Sequence, residues 1–238
     1  MPRGADAAAW RDVRESTERL VPWYDRVNFV NTFGRLRSWR QRLTSTASPA
    51  DVVLEVGSGP GSFARLLRAR RVHCLDPSRA MLAFARGRLG DGPHRFVSGV
   101  AEGLPFRTAS VDKVYCSFSF RQFPDKRRAI REMGRVLCVG GELHVLEAAR
   151  PPPGWRRAFM DSWLEIGVPA VVAFLVPRRV RREWREQPFA SFVRSYEAME
   201  PPETYAEAMR ASGFSEVRLD YLAMRSVFHL KGVRGSTT

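Results

Sequence analysis

Three closely spaced glycines, directly after a run of β-branched residues, are the feature that most constrains the fold of this chain. The apolar run Val52–Val56 is typical of a strand buried on both faces, because branched side chains pack well on a pleat that helices cover. Gly57, Gly59 and Gly61 allow a tight turn and a close approach of a ligand to the backbone. We expect a helix to begin near Ser62 and to direct free N–H groups at that ligand. This order predicts a nucleotide-type binding site.

The residues around the turn narrow the kind of ligand. No Gly-Lys-Ser/Thr follows, so the turn is not a P-loop, and Ser62 stands where a dinucleotide fingerprint has its third glycine. Asp76, at the end of the next predicted strand, suits a bidentate contact to ribose hydroxyls, or else caps the helix that starts beside Ser78. Glu55 either binds a positively charged amino group or supports the glycine turn. We therefore expect a ligand with a ribose and a base.

Strands and helices alternate along most of the sequence. Strands are predicted over residues 52–56, 72–76, 94–98, 111–118 and 142–148, followed by an antiparallel pair over 214–221 and 222–230. Helices are predicted over residues 6–45 (broken near Pro22) and 63–70, from Ser78, from Asp125 and over 204–212, and Gly140-Gly141 is predicted to turn the chain. This order predicts an α/β fold with a doubly wound, mainly parallel sheet of seven strands whose last strand is antiparallel.

We expect one domain over residues 1–238. Its parts are an N-terminal helical lid (1–48), a cofactor-binding core (49–149), a helical insertion after the fifth strand that covers the substrate (150–200), and a C-terminal helix and strand pair (201–238).

The net charge of the chain is unusually positive, whereas the number and spacing of its cysteines are ordinary. The formal net charge is +14, and three of the 39 basic residues are lysines. Such a bias reflects codon usage and solubility alone, or else a basic face for an anionic membrane or a nucleic acid. The three cysteines stand singly, which indicates neither a disulfide framework nor a metal site, and a reducing cytoplasmic setting is expected. The apolar run from Ile166 to Val176 is interrupted by Pro169 and is too short to span a bilayer.

The sequence contains the motifs Glu55-Val-Gly-Ser-Gly-Pro-Gly61, Leu75-Asp-Pro-Ser-Arg-Ala-Met-Leu82 and Ala101-Glu-Gly-Leu-Pro-Phe106. These motifs resemble those of class I S-adenosylmethionine-dependent methyltransferases. Two further stretches, 117–125 and 131–147, resemble the patterns S-F-G-x-R-N-x-x-D and R-V-L-K-P-G-G-x-L-x-x-L-E of the ubiquinone/menaquinone biosynthesis C-methyltransferase family. Tyr24-Asp25, Asn28 and Trp39 fall at the spacing of its N-terminal signature. The resemblance implies a Rossmann-like methyltransferase fold.

The resemblance also implies a cofactor and a site. The cofactor would be S-adenosyl-L-methionine, with S-adenosyl-L-homocysteine as product, and no metal is expected. Residues implied in cofactor binding are Glu55, Gly57, Ser58, Gly59, Pro60, Asp76, Pro77, Val100, Ala101, Glu102 and Ser117. Arg121 would stabilise a developing phenolate, with Tyr24 and Asp25 assisting from the lid.

Some residues depart from the family pattern. Val100 stands where the family pattern has an aspartate that accepts from the adenine amino group, and Glu102 is the candidate to substitute for that aspartate. Gln122 replaces an asparagine, Leu36 a histidine, and Cys138-Val139 a lysine and a proline. The expected reaction is methyl transfer to a ring carbon of a small, prenylated quinol. An RNA methyltransferase and a non-catalytic cofactor-binding regulator are the alternatives.

The insertion carries a mixture of apolar and basic residues. Between Trp163 and Phe189, aromatic and aliphatic side chains precede the charged run from Arg178 to Arg185. This mixture suits peripheral contact with an anionic membrane, or else a buried helix followed by a solvated basic face. A homodimer is left open.

Overall fold

A computed structural model describes residues 24–175, 185 and 189–236 of the chain. Its contacts divide the chain into two compact units. The helical unit consists of Met1–Ser38 and Pro152–Ala198, and the sheet unit of Trp39–Pro151 and Met199–Thr238. The single domain predicted from the sequence stays a prediction.

The described elements follow one another in this order: α1 (Tyr24–Asn31), α2 (Leu36–Thr44), β1 (Val52–Val56), β2 (Arg71–Asp76), α3 (Arg79–Leu89), β3 (His94–Ser98), β4 (Val111–Ser117), α4 (Lys126–Val136), β5 (Leu137–Ala148), α5 (Trp155–Ser162), α6 (Val168–Leu175), α7 (Ala190–Glu197), α8 (Pro202–Ala211), β6 (Phe214–Leu222) and β7 (Val227–Arg234). None of these helices is both long and apolar enough to cross a membrane.

The sheet unit is built on a seven-stranded sheet in the order β3-β2-β1-β4-β5-β7-β6. β1 to β5 are parallel neighbours, whereas β7 pairs antiparallel with both β5 and β6. The order reverses at β1, so the carboxyl ends of β1 and β4 border the crevice in which such sheets bind ligands. The predicted doubly wound sheet is confirmed.

Side-chain caps position two helices as the sequence predicted. Ser78 accepts a hydrogen bond from the Met81 N–H at the start of α3, and Asp125 accepts one from the Arg128 N–H at the start of α4. These bonds satisfy N–H groups that have no partner within the helix. The cap of α3 leaves Asp76, the residue at the end of β2, available for another role.

The predicted helix over residues 63–70 is wrong. A single 3-10 turn, Ala64–Leu66, follows the glycine turn, and the chain is already extended at Leu67. Few residues remain between this turn and the start of β2 at Arg71. A helix rises only about 1.5 Å per residue, whereas an extended segment covers more distance with the same number of residues. The chain therefore returns to the start of β2 in an extended conformation. Leu67 is buried by this path. The long helix expected to direct N–H groups at a ligand is therefore absent from the described structure.

Two strands begin several residues away from their predicted starts. β5 begins at Leu137, and Gly140-Gly141 form an irregularity inside it, because the register with β4 shifts there. A Cβ on Gly141 would lie 2.7 Å from the Asp112 carbonyl oxygen, so the close approach of the backbones requires glycine. β7 begins at Val227, not at residue 222, because residues 223–225 adopt positive φ angles and make the turn after β6.

The helical unit contains α1, α5, α6 and α7. A π-helical turn, Trp163–Gly167, joins α5 to α6, and the Phe33 ring stacks on Trp163 with centroids 4.7 Å apart. The predicted break near Pro22 and the arginines between positions 178 and 182 lie outside the described residues. Between α1 and α2, Phe33 and Gly34 have φ angles of 50° and 73° and separate the two helices.

Candidate functional site

The glycine turn is tied to the end of β2 by its own backbone. Gly57 and Ser58 both donate their N–H groups to the Leu75 carbonyl oxygen, over 2.8 and 3.0 Å. Gly57 has a φ of 73°, and a Cβ there would collide with Cβ and Oγ of Ser119. Gly59 has a φ of 51°, and a Cβ there would meet nothing within 4 Å. The turn therefore packs tightly at Gly57 and is open at Gly59, where a ligand can approach.

Asp76 holds the turn from the side. Its Oδ2 accepts the Gly59 N–H at 2.9 Å, and its Oδ1 accepts the Ser78 N–H at 2.9 Å. The helix cap itself is made by the Ser78 hydroxyl. A carboxylate has about four lone-pair sites, so one such group can accept bonds from several donors.

Glu55 is a buried carboxyl group under the turn. It is 1% exposed, and its Oε2 has no hydrogen-bond partner among the described residues. A backbone bond from Ala64, just beyond the turn, reaches the carboxyl group. Burial raises the pKa of Glu55 to about 8, and repulsion by Asp76 adds to this although the charge of Arg40 opposes it.

Two serines at the end of β4 connect this strand to its neighbours. Ser117 Oγ accepts a hydrogen bond from Arg40 Nε at 3.1 Å, and both residues are buried. Ser119 Oγ donates to the Val56 carbonyl oxygen at 2.8 Å. Phe118 lies between them with a φ of 60°, a rare angle for a large side chain. The last residues of β1 and β4 are thereby held together.

Arg121 is part of a buried ion pair. Its Nη1 donates to Glu147 Oε1 at 2.8 Å and to the Phe118 carbonyl oxygen at 2.9 Å, while its backbone N–H donates to Glu147 Oε2 at 3.0 Å. The side chains of Arg121 and Glu147 are 8% and 0% exposed. The two bonds from Nη1 orient the guanidinium group, the backbone bond fixes Glu147 beside it, and the pair as a whole is neutral.

The loop after β3 contains the three residues implied in adenine binding. Val100 is exposed and forms an isolated bridge with Gly103, whereas Ala101 is buried. The Glu102 carboxylate accepts the Asp125 N–H at 3.3 Å, so it is engaged at the start of α4. Their role in binding adenine stays a prediction.

The structure thus brings most of the predicted site residues to one edge of the sheet. Glu55, Asp76 and Ser117 lie at the carboxyl ends of the neighbouring strands β1, β2 and β4. Tyr24 and Asp25, in contrast, open α1 of the helical unit.

Sequence reasoning missed three residues of this edge. Glu147 and Arg40 are the buried partners of Arg121 and Ser117, and Ser119 stands at the glycine of the S-F-G pattern. Arg40 directly follows Trp39 of the N-terminal signature, and Glu147 lies near the end of β5, much as Asp76 ends β2. These two positions are the signals from which the sequence could have predicted Arg40 and Glu147 as site residues.

The residues present fit an amino-acid–nucleoside cofactor. Two polar atoms beside the turn, Glu55 Oε2 and Ser58 Oγ, are buried and have no partner in the described part of the chain. Buried polar groups normally have partners, so these two indicate a polar ligand. With the open backbone at Gly59 and the carboxylate of Asp76, the fold and the site define the class of S-adenosylmethionine-dependent methyltransferases.

Comparison with known proteins narrows this class. The sequence model of the ubiE/COQ5 methyltransferase family matches residues 6–231, and the chain belongs to that family. The demethylmenaquinone methyltransferase of Deinococcus radiodurans is 34% identical over 211 residues, which cover 85% of this chain and 84% of the relative. The demethylmenaquinone methyltransferase of Thermotoga maritima is 38% identical over 146 residues, which cover 59% of this chain and 62% of the relative.

A solved structure confirms the fold. The possible histamine N-methyltransferase of Thermotoga maritima superposes with a TM-score of 0.63 over 93% of this chain and 99% of its own, at 21% identity. At that identity the likeness concerns the fold alone. The chain is a methyltransferase that uses S-adenosylmethionine.

Proposed function

We propose that the enzyme methylates a ring carbon of a demethylmenaquinol-like, prenylated aromatic substrate. The observation that carries the proposal is the family match over residues 6–231, together with relatives named for demethylmenaquinone. The buried, oriented Arg121 supports it, because a phenol is a better carbon nucleophile once it is ionised and a fixed donor stabilises that charge.

The proposed cofactor site follows the edge of the sheet. Glu55, Gly57, Ser58, Gly59 and Pro60 would hold the methionine end, and Asp76 with Pro77 the ribose. Around the adenine we place Val100, Ala101 and Glu102, and Ser117 would close the pocket.

The chemistry required of the protein is alignment, exclusion of water and control of one proton. The bound cofactor supplies a methyl group already activated by a sulfonium charge. Alignment of a carbon nucleophile with that methyl group accounts for much of the rate that an enzyme can supply. Arg121 would donate from its fixed guanidinium group to the ionised hydroquinol. Tyr24 and Asp25 would assist in removing the phenolic proton.

The experiment uses detergent-solubilised demethylmenaquinol and labelled S-adenosylmethionine. Arg121→Ala should lower kcat by about 100-fold or more, since loss of one fixed donor typically costs that much. Arg121→Lys, which keeps the charge but not the planar guanidinium group, should recover only part of the rate. Binding of S-adenosylhomocysteine by each variant is the control. Full turnover of Arg121→Ala with unchanged cofactor binding would show that the assignment is wrong.

Glu147→Gln separates orientation from charge. It keeps the shape of the side chain but removes the ion pair with Arg121. If Arg121 acts as an oriented donor, this variant should also lose turnover while it still binds cofactor. An unchanged rate would show that Glu147 contributes to the stability of the fold and not to turnover.

We propose further that the enzyme works as a cytoplasmic protein at the surface of an anionic membrane. The helical unit exposes several large apolar side chains: Phe29, Phe33, Trp155, Phe159, Ile166 and Phe174. Phe174 is 90% exposed. Exposed apolar clusters on a basic protein are typical of membrane contact, and a prenylated substrate resides in the bilayer.

Liposome flotation tests this second proposal. The protein should float with vesicles that contain anionic lipid at low salt, and Trp155→Ser with Phe174→Ser should weaken flotation. Val139, which is 66% exposed on β5 of the sheet unit, supplies a matched control as Val139→Ser. Absence of flotation with anionic vesicles at low salt, or equal loss in the control, would refute it.

A further inference from the structure

Glu55 differs from Asp76 because one oxygen of its buried carboxyl group has no hydrogen-bond partner among the described residues. It is 1% exposed and forms no ion pair within the described residues. The Ala64 backbone N–H donates a hydrogen bond to the Glu55 carboxyl group, and Glu55 Oε2 has no partner among the described residues. Asp76, by contrast, accepts two backbone N–H groups. A buried carboxylate in this position would be costly, whereas a neutral carboxyl group is not.

Among the described residues, the charged and titratable groups around Glu55 lie on α2, β2, β4 and the turn after β1. They are Arg40 on α2, Asp76 and Cys74 on β2, Tyr115 and Cys116 on β4, and the Ala64 N–H beyond the turn. Arg40 is the cation of the set, and it donates Nε to Ser117. The cysteines and the tyrosine stay neutral, since burial raises the pKa of each. Charge balance around Glu55 therefore requires either a proton or a cation from a ligand.

We propose that Glu55 carries a proton while the pocket is empty and releases it to solvent when the ammonium group of the cofactor's amino-acid part binds beside it. This inference rests on the proposed placement of the methionine end at the glycine turn. One O–H bond of the carboxyl group breaks, the proton passes to buffer, and the ammonium supplies the missing charge. Cofactor binding is thereby coupled to pH.

Arg40 sets how readily this exchange occurs. Arg40 is 6% exposed, and its charge lowers the pKa of Glu55 from the value that burial alone would impose. Arg40 lies on the helix that precedes β1, and the bond to Ser117 holds its side chain on the same face of the sheet. It is a positioning residue, because it acts on the ligand through Glu55.

Calorimetry in buffers of different ionisation enthalpy measures the released proton directly. With a pKa of about 8, Glu55 is about 90% protonated at pH 7, so binding of S-adenosylhomocysteine to the wild-type enzyme should release about 0.9 proton there. The release should fall towards zero by about pH 9.5. Methylthioadenosine shares the nucleoside but lacks the amino-acid part, and it should bind without this release. Equal release with both ligands, or none with either, would overturn the inference.

Variants assign the proton to its group. Glu55→Gln should abolish the release, while the titration of the ligand's own amino group remains as an internal reference. Arg40→Met should extend the release to higher pH, and Arg40→Lys should restore the wild-type profile. Arg42→Met, an exposed arginine on the same helix, is the matched control and should change nothing.

The outcomes separate this inference from the proposed function. If Glu55→Gln binds S-adenosylhomocysteine and still releases the proton, another group is responsible and the inference fails while the site stands. If Glu55→Gln does not bind S-adenosylhomocysteine, the proton release of the wild-type enzyme with S-adenosylhomocysteine and with methylthioadenosine still tests the inference. Failure of the wild-type enzyme to bind S-adenosylhomocysteine would refute the proposed site itself.

Discussion

Replacement of Glu55 by glutamine is expected to stabilise the ligand-free enzyme, and the gain should grow with pH. In the folded chain the pKa of Glu55 is raised to about 8, whereas its ordinary value is 4.5. Folding therefore requires the side chain to take up a proton at any pH between these values. This contribution to stability is fully present below pH 4.5 and is lost as the pH rises through 8. Glutamine is neutral in both states and avoids the loss.

The magnitude follows from the two pKa values. Each pH unit above the unfolded value costs about 1.4 kcal/mol, so Glu55→Gln should gain about 1 kcal/mol at pH 5 and about 3 kcal/mol at pH 7 over the wild-type chain. Urea unfolding of both proteins without ligand at pH 5, 6 and 7 measures this difference. Glu207→Gln, an exposed position on α8, is the control with no expected gain. A difference that does not vary with pH would refute the argument that Glu55 is protonated in the fold. A confirmed gain, with weaker cofactor binding, would show stability sacrificed for function.

Three shorter predictions test other parts of the structure. Gly57→Ala should cost about 2–4 kcal/mol of unfolding free energy, from its φ of 73° and the collision with Ser119, and Ser119→Gly in the same chain should return only the steric part. Burial lowers the pKa of His144 to about 3, although a hydrogen bond to Glu142 opposes this shift. The folded protein therefore loses stability as the pH falls below about 6.5, the ordinary pKa of histidine. In urea unfolding, His144→Asn should reduce the loss of unfolding free energy between pH 6.5 and 4.5 by about 2 kcal/mol. Iodoacetamide should alkylate Cys138 in the native protein well before the two buried cysteines of β2 and β4, whose thiol pKa values burial raises, and mass spectrometry of peptides reports the order.

Local patterns predicted the elements whose conformation depends on neighbours in sequence. The strands over residues 52–56 and 94–98 and the caps at Ser78 and Asp125 follow from alternation, branched side chains and capping chemistry, and the structure confirms them. The prediction of a helix over residues 63–70 was wrong because this segment, although it contains good helix formers, must also span the distance back to β2. Local propensity contains no information on that distance.

The contacts that complete the site could not be predicted in this way. Arg40 meets Ser117 across 77 positions of sequence, Ser119 meets Val56 across 63, and Arg121 meets Glu147 across 26. A buried arginine such as Arg40 has no local signature that separates it from exposed arginines. Its partner is chosen only when α2, β1 and β4 pack together.

The sequence alone predicted the glycine turn, the acids near the ends of β1 and β2, and hence a nucleoside-binding site on a doubly wound sheet. These features are set within a few residues, by backbone freedom and by strand periodicity. The tertiary structure decided the state of each group: Asp76 is bonded to the turn, Arg121 is paired, and Glu55 is buried with one oxygen that has no partner among the described residues. Burial and distance between charges control the protonation of a carboxyl group, and both exist only after the chain has folded.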